Sequence, residues 1–354
     1  MLKALSLAAV LTLCSSGAIG EEPPRAADAL EVGEPVLAHN IAVVPLYSRQ
    51  DPTPDDYLVL EEAQKAGAVV ISENGGQVDR LLAFNKDSDR RPLYLLGGEV
   101  VLGGQQDRMV VNDTVVEAGK KLALEVRCVE HGRWSGADLT FRASEAVAHP
   151  DLRKAALFKG QGDVWNEVAR KSAASGVASS TGTYRRVLQD AAVRQRIAAY
   201  LDDLQSRIVQ NERLTGMAVA INGDLEVVDV FASPRLFKKL ERKLLASYVL
   251  AALERQPGSE AVARRYDAKA KALKGGDINR FVGGNAKSAG PNAEGGLTDL
   301  GLNGRTWGKA AKGVPQGAAQ EGAQQTEGGK VFYHQGKAVH GSFFGTQAAP
   351  GTGE

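Results

Sequence analysis

Cysteine is scarce in this sequence, because Cys14 and Cys128 are the only two among its 354 residues. Cys14 lies in an N-terminal segment that we expect to be removed, so the mature chain would keep Cys128 alone. A single thiol cannot form an intrachain disulfide, even in an oxidising compartment. Stability must therefore come from packing, and 43% hydrophobic residues are enough for a sizeable core.

An excess of charge is also missing, since 43 basic residues face 42 acidic ones. We therefore predict no basic surface for nucleic acid. The Gly-Lys-Ser/Thr phosphate loop and the GxGxxG dinucleotide motif are absent, so the common kinds of nucleotide site are not indicated. His334 and His340 would lie on opposite faces of a hairpin, and we predict no metal site. The sequence leaves any cofactor and the oligomeric state unknown.

The first twenty residues have the pattern of a secretory signal peptide. Lys3 supplies a positive charge, an apolar run follows from Ala4 to Leu13, and small residues complete the segment. We predict cleavage before Glu21 and export to the periplasm or the extracellular space. A lipoprotein attached through Cys14 is the alternative, but bulky Leu13 stands where the lipid-attachment motif has a small residue. The apolar run is too short to span a membrane, and we predict no membrane span.

Hydrophobic periodicity predicts an α+β fold. Short apolar runs between about 41 and 134 are separated by Gly, Asp and Asn, which indicates a β-rich core. Between about 151 and 273 the period lengthens to that of packed amphipathic helices, one of them beginning at Ser233-Pro234. An Asn222-Gly223 turn predicts a hairpin, and residues 331–344 predict a C-terminal β-hairpin.

The chain divides accordingly. Residues 1–20 are the signal peptide, 21–35 form a proline-containing leader, and one domain comprises residues 36–274 together with 331–345. Residues 275–330 are rich in Gly and Ala with little periodicity, which predicts a flexible insert. Residues 346–354 are predicted to be a disordered tail.

Charged side chains interrupt the β-rich core. Glu99 is the only charge in the apolar run LYLLGGEVVL, which predicts a central strand buried on both faces. A buried carboxylate needs a cation or hydrogen-bond donors, and we predict Arg108 or Arg133 as its partner. In KLALEVRCVE the alternation places Cys128 and Glu130 on the same apolar face. We therefore expect Glu99, Arg108, Glu130 and Arg133 to line one polar cavity.

Two interpretations of this cluster stay open. In the first, the four charged side chains form a structural ion-pair network, while Cys128 and Trp134 are packing residues. In the second, acids, bases and an aromatic ring meet because a polar ligand binds there, or because one carboxylate takes part in acid–base catalysis.

Two blocks of this region, GGEVVLGGQQDRMVVN and VRCVEHGRW, resemble the ARG and Rhodanese-Phosphatase-superfamily-associated protein domain. In that family a Gly-Glu, a Gly-x-Gln-x-Arg and a Cys-Val-Glu-x-Gly-Arg-Trp element recur, here as Gly98-Glu99, Gly104 to Arg108 and Cys128 to Trp134. Weaker similarity covers about residues 35 to 345. Asp107, where the family often has Asn, and the long insert are departures from the pattern.

The family name associates the domain with ADP-ribosylglycohydrolases and phosphatase-like proteins, so the resemblance implies a site and a ligand class without a mechanism. A second phosphate contact is predicted in SSTGTYRR, Ser179 to Arg186, where hydroxyls and N–H groups precede a helix; an ordinary helix cap is the alternative. The candidate ligand-binding residues are Gln105, Arg108, Asn112, Cys128, Arg133, Trp134 and Thr181, and the candidate catalytic residues are Glu99 and Glu130.

Three functions remain open, and whether the protein is an enzyme is uncertain. In the favoured one, the domain binds a small polar or phosphorylated ligand resembling ADP-ribose, with Arg108 and Arg133 as anchors and Trp134 as a stacking surface. In the second, it is a hydrolase with Glu99 or Glu130 as general base. In the third, it is a structural or partner-binding protein of the cell envelope.

Export can be tested with a reporter. Fusion of residues 1–25 to a reporter protein should carry the reporter out of the cytoplasm, because this segment contains the whole predicted signal peptide. Cell fractionation measures the outcome, with the unfused reporter as the control. A fusion that stays inside at full length would contradict export.

Overall fold

The computed structural model describes residues 30–49, 56–135, 138–286, 322–325, 328–335 and 337–345. The predicted signal peptide and tail, and parts of the predicted leader and insert, lie outside the described residues. The described part of the chain mixes strands and helices, so the predicted α+β class is confirmed. Among these residues no helix combines the length and the apolar character needed to cross a membrane.

Strands dominate the first and last parts of the described chain, and helices its middle. The strands are β1 (Leu30–Val32), β2 (Val36–Ala38), β3 (Ile41–Ser48), β4 (Val69–Glu73), β5 (Arg80–Asn85), β6 (Leu93–Leu95), β7 (Glu99–Gly103), β8 (Arg108–Val110), β9 (Thr114–Val116), β10 (Lys121–Cys128), β11 (Thr140–Val147), β12 (Leu214–Ile221), β13 (Asp224–Phe231), β14 (Gly322–Gln325), β15 (Gly329–His334) and β16 (Lys337–Phe344). The helices are α1 (Leu60–Lys65), α2 (Pro150–Phe158), α3 (Gln161–Ala174), α4 (Arg185–Gln189), α5 (Ala191–Arg207), α6 (Pro234–Ala252), α7 (Glu260–Lys271) and α8 (Gly275–Ala286).

A large antiparallel sheet has the strand order β1-β3-β12-β13-β16-β15-β14, with β2 also paired to β3. Its β12–β13 hairpin turns at Asn222 and Gly223, whose φ angles of 54° and 81° match the Asn-Gly turn predicted from the sequence. Successive residues of β12 pack in different hydrophobic cores, because Met217 and Val219 lie on one face of the sheet and Ala218 lies on the other. The sheet is therefore covered on both faces. The predicted C-terminal hairpin is confirmed as β15 and β16.

Helix α6 covers one face of the large sheet. Ser233 caps its start by accepting a hydrogen bond from the Leu236 N–H at 3.3 Å, and Pro234 occupies the first turn, as the sequence predicts. Most of the helix is buried, including Phe237 and Leu240. Because apolar side chains surround it on several sides, α6 forms the centre of the largest hydrophobic core.

Six shorter strands close into a barrel with the order β10-β5-β4-β11-β7-β8, and β8 pairs with β10 to complete the ring. Apolar side chains such as Ile71, Leu81 and Val126 pack together inside it. The outward-facing residues of β7 and β8, including Val100 and Met109, pack against the helical layer of α2 to α5. Strand β7 is thus buried on both faces, as the sequence predicts.

Two boundaries differ from the sequence prediction. The β-rich region does not end at residue 134, because β11 continues the barrel to Val147. Residues 275–286, the beginning of the predicted insert, form helix α8, and its Ile278 and Val282 are buried against the large sheet. These two apolar residues are four positions apart, which is a helical spacing, but the glycines on either side conceal so short a pattern.

A buried polar network joins the large sheet to the loop that follows β8 of the barrel. Asp229 of β13 accepts hydrogen bonds from Arg153 of α2 at 2.9 and 3.0 Å and from the Tyr248 hydroxyl of α6 at 2.6 Å. His340 of β16 lies between two carboxylates, with its ring nitrogens 3.0 Å from Asp229 and 2.6 Å from Asp113. Burial would raise the pKa of Asp229, but Arg153 and His340 together hold it far below its usual range.

Replacing Leu240 by Ala should lower the free energy of unfolding by about 2–5 kcal/mol, because the side chain is fully buried and its loss leaves a cavity. Chemical denaturation measures the change. Arg235→Ala, an exposed position on the same helix, is the control and should change stability by less than about 0.5 kcal/mol. Equal effects at both positions would contradict the central packing of α6.

Candidate functional site

The side chain of Gln161 hydrogen-bonds helix α3 to the end of strand β10. The Gln161 amide donates to the Cys128 carbonyl at 2.8 Å and accepts from the Cys128 N–H at 2.9 Å, much as a neighbouring strand would. One turn later, Trp165 contacts His131 edge-on, with ring centroids 4.5 Å apart. These contacts hold α3 beside the loop that follows β10.

Glu130, in that loop, is a buried carboxylate with both oxygens hydrogen-bonded. It accepts from Arg133 Nε at 2.9 Å, from the Asp107 N–H at 3.1 Å and from the Thr181 hydroxyl at 2.8 Å. Burial alone would raise the pKa of Glu130, but the bonds from Arg133 and Thr181 outweigh it and lower that pKa. The lowered pKa makes Glu130 a weak base, and both of its oxygens already accept hydrogen bonds, so it does not suit general-base catalysis.

Asp107 is fully buried on the facing loop, between β7 and β8. Its carboxylate accepts from Arg185 Nε at 2.8 Å, from the Thr183 hydroxyl at 2.9 Å and from the Gly103 N–H at 3.1 Å. We call the connected side chains the Asp107 network, and its members are Asp107, Glu130, Arg133, Thr181, Thr183 and Arg185.

Arg133 is a cross-link within this network. Besides Glu130, its guanidinium donates to the carbonyls of Gly104 at 2.7 Å, Ser135 at 3.0 Å and Gly103 at 3.2 Å. Its remaining contact is with Asp107 at 3.4 Å. Since its donors already have acceptors, Arg133 has little capacity left to hold a ligand.

Glu99 lies in a different environment from the one predicted. Its carboxylate contacts Lys243 of α6 and accepts from the Leu96 N–H at 3.1 Å, and Lys243 in turn binds Glu61 at 2.9 Å. Burial raises the pKa of Glu99, although the Lys243 ammonium opposes this shift. The prediction that Arg108 or Arg133 pairs with Glu99 was wrong, and the four charged residues do not line one cavity.

A cavity of about 470 Å³ opens where β10 ends beside α3. Two of the predicted ligand-binding residues, Cys128 and Trp134, line it, and Trp134 is 55% exposed. Burial raises the pKa of the Cys128 thiol, so it is not an activated nucleophile. The lining residues are Val78, Asp79, Gln106, Arg127, Cys128, His131, Trp134, Gln161 and Trp165.

Arg108 lies directly behind this lining. It is the register partner of Cys128 across the β8–β10 pair and is fully buried. Its Nη1 donates to Gln106 Oε1 at 3.2 Å, whereas Nε and Nη2 have no hydrogen-bond partner among the described residues. Within the same residues no carboxylate lies within 4.0 Å of its guanidinium. A buried cation without an anion is energetically costly.

Three other predicted ligand-binding residues lie away from this cavity. The Gln105 N–H donates to Glu73 at 2.9 Å, and Asn112 donates to Glu125 at 2.8 Å. Thr181 belongs to the Asp107 network. In the predicted phosphate contact, Ser179 to Arg186, the Thr183 hydroxyl and Arg185 bind Asp107, and helix α4 has only five residues. Hydrogen-bond donors that were predicted to bind phosphate therefore bind the Asp107 carboxylate instead.

A cluster that the sequence analysis missed contains possible metal ligands. Ligand atoms of His149, Asp151 and Glu167 lie within 4.8 Å of one another. However, His149 Nε2 is already 2.6 Å from Glu167, and Arg170 binds both Glu167 at 2.6 Å and Asp151 at 3.3 Å. The carboxylate charges are therefore neutralised by protein cations, and the arrangement is an ion-pair network.

Sequence reasoning missed most of the residues that line the cavity, among them Gln106, His131, Gln161 and Trp165. Gln106 is the glutamine of the Gly-x-Gln-x-Arg element and so carried a signal, whereas His131 is at the variable position of the Cys-Val-Glu-x-Gly-Arg-Trp element. Gln161 and Trp165 are separated from Cys128 by more than thirty positions, and only the packing of α3 against β10 brings them there.

The fold is that of an α+β domain with a cavity of about 470 Å³ at the end of a small barrel. The chain belongs to the family of the ARG and Rhodanese-Phosphatase-superfamily-associated Protein domain, which it matches over residues 29–344. No curated protein and no solved structure matches the chain significantly.

Arg133→Lys should lower the free energy of unfolding by about 1–3 kcal/mol, because an ammonium cannot reproduce the forked contacts of the guanidinium. Denaturant titration gives the change. Arg186→Lys is the matched control, since Arg186 is exposed, and it should have little effect. If both variants are as stable as the wild type, the cross-linking role of Arg133 is wrong.

Proposed function

We propose that the domain binds a small phosphorylated ligand in the cavity lined by Trp134 and Gln106, with Arg108 as the buried cation that attracts the phosphate. The observation that carries this proposal is Arg108 itself, fully buried with two nitrogens unpartnered among the described residues. Arginine stays protonated inside proteins, so its charge must be balanced in another way. An anionic ligand supplies that balance.

Electrostatics at the cavity favour Arg108 over the other cations. Arg127 and Asp79 both line the cavity, and their opposite charges offset each other at its rim. Arg127 is also 3.2 Å from Glu125. The unbalanced charge nearest to the cavity is thus that of Arg108, and a guanidinium offers phosphate two parallel donors.

Gln106 separates Arg108 from the cavity. Its Oε1 accepts from Arg108, and its Nε2 lies 3.3 Å from the His131 carbonyl, which is a long hydrogen bond. A neutral amide is a weaker acceptor for a guanidinium than a phosphate oxygen. A phosphate entering the cavity would therefore displace the Gln106 side chain and take its place on Arg108.

Trp134 supplies a surface for a flat ring. An indole with half of its area exposed next to a cavity offers an apolar face to a ligand, and stacking of a nucleobase on such a face contributes about 1–3 kcal/mol. A nucleotide, or a ligand resembling ADP-ribose, combines a flat ring with phosphate. Such ligands therefore suit both Trp134 and Arg108.

Hydrolysis with Glu130 or Glu99 as general base has less support. The oxygens of Glu130 are bound within the Asp107 network, and Glu99 is bound to Lys243 and does not line this cavity. The export expected from the N-terminal segment remains part of the proposal, and would place ligand binding outside the cytoplasm.

Replacing Arg108 by Met tests the function. The free energy of unfolding should stay the same or rise by up to about 4 kcal/mol, because an unpaired buried charge is removed at similar volume. Inorganic phosphate, UDP and ADP-ribose are the probes in a thermal-shift titration. At least one should raise the Tm of the wild type with concentration, and none should raise that of Arg108→Met.

The control is Arg142→Met, which removes an exposed arginine of β11 and should leave the thermal shifts unchanged. Loss of 3 kcal/mol or more in Arg108→Met, with ligand shifts intact, would show that Arg108 is structural. If none of the three probes stabilises the wild type, the proposal of a phosphorylated ligand fails.

A further inference from the structure

A second cavity of about 640 Å³ adjoins the first. His131 and Trp165 line both cavities, so the two spaces meet at this pair of rings. Helix α3 forms one wall of both, with Gln161 in the first cavity and Ala173 in the second. At 1.5 Å per residue this wall is roughly 18 Å long. The two adjoining cavities, which follow one another along α3, are together called the groove.

The two ends of the groove differ in chemistry. The first contains Arg127 and Asp79 and lies in front of Arg108, whereas no Asp, Glu, Lys or Arg is among the described residues that line the second. Its polar groups are the amide of Asn166 and the hydroxyls of Ser172 and Ser179, interspersed with small apolar residues. Amides and hydroxyls beside an aromatic ring suit an uncharged group that carries several hydroxyls.

Trp165 provides a further sign of a ligand at the junction. Its Nε1 is buried and has no hydrogen-bond partner among the described residues. Buried indole N–H groups usually have an acceptor. A ligand oxygen lying across the junction would satisfy this donor, and the donor lies on a residue shared by both cavities.

The loop that carries His131 is fixed at the junction. The N–H groups of His131 and Gly132 both donate to the Thr181 carbonyl, at 3.1 and 2.7 Å, and the Thr181 hydroxyl binds Glu130. A Cβ on Gly132 would lie 3.2 Å from Thr181, so a larger residue there would crowd the contact. The Asp107 network thus sets the width of the groove, which is preorganised for its ligand.

We propose that the groove binds nucleotide sugars, a narrower class within the proposed function on which this inference rests. The base stacks on Trp134, the phosphates face Arg108, and the sugar extends past the His131–Trp165 pair into the second cavity. There Asn166, Ser172 and Ser179 bind the sugar hydroxyls. This order follows the change from charged to uncharged lining along the groove.

The test compares UDP with UDP-glucose, because the two differ by the sugar that the second cavity would hold. Isothermal titration of the full chain should show UDP-glucose binding at least tenfold more tightly than UDP. Ala169→Trp places a large side chain on the α3 face that lines the second cavity. It should reduce this tenfold preference to near one while leaving the affinity for UDP unchanged.

Ala174→Trp is the matched control, since this exposed residue ends the same helix without lining the groove, and it should keep the tenfold preference. Equal affinities for UDP and UDP-glucose in the wild type would overturn the inference while leaving the proposed function intact. An equal loss of both ligands in Ala169→Trp would overturn it in the same way. If neither ligand binds, the inference fails, and the phosphate and ADP-ribose titrations separately decide the proposed function.

Discussion

The buried carboxylate of Asp107 is the contact on which the shape of the site depends. Two arginines, a hydroxyl and a backbone N–H converge on it, from the end of β7, the loop after β10 and the segment that leads into the first residue of α4. Burial of a carboxylate is energetically costly unless such donors bind it. The three segments are therefore fixed relative to one another, and the cavity beside them has a defined width.

Buried charge is used in two opposite ways in this domain. In the Asp107 network and around Asp229, each carboxylate meets arginine with short, well-directed hydrogen bonds, so the charges hold elements together. At Arg108 the charge lacks a carboxylate within the described residues. Natural proteins tend to leave a buried charge without an ion-pair partner only at functional sites. This contrast, more than the residue types alone, distinguishes the candidate site from the ion pairs around it.

Local signals in the sequence predicted much of the fold. The Asn222-Gly223 turn, the Ser233-Pro234 helix start and the alternation in β10 each depend on neighbouring residues, and the structure has all three. Partners distant in sequence could not be predicted in this way. Glu99 and Lys243 are 144 positions apart, and no pattern near Glu99 points to helix α6.

The candidate site shows the same limit. Glu130 and Arg133 are three residues apart, and their proximity was expected. Their other hydrogen bonds depend on the fold, because Thr181 binds Glu130 and the carbonyls of Gly103 and Gly104 bind Arg133. Cys128 and Trp134 line a cavity in the structure, and their binding of a ligand stays a prediction. Gln161 and Trp165 arrive from a helix whose docking the sequence does not reveal.

The pairing of β13 with β16 has a consequence for how the chain is made. Strand β13 lies between β12, its immediate neighbour, and β16, which ends at Phe344. During synthesis from the N-terminus, the free edge of β13 stays open until almost the whole chain has left the ribosome. His340 and Ser342, two partners of Asp229, arrive equally late. In the nascent chain an unpaired strand edge therefore coexists with a carboxylate that has Arg153 and Tyr248 but still lacks His340 and Ser342, and such an open edge favours misassembly.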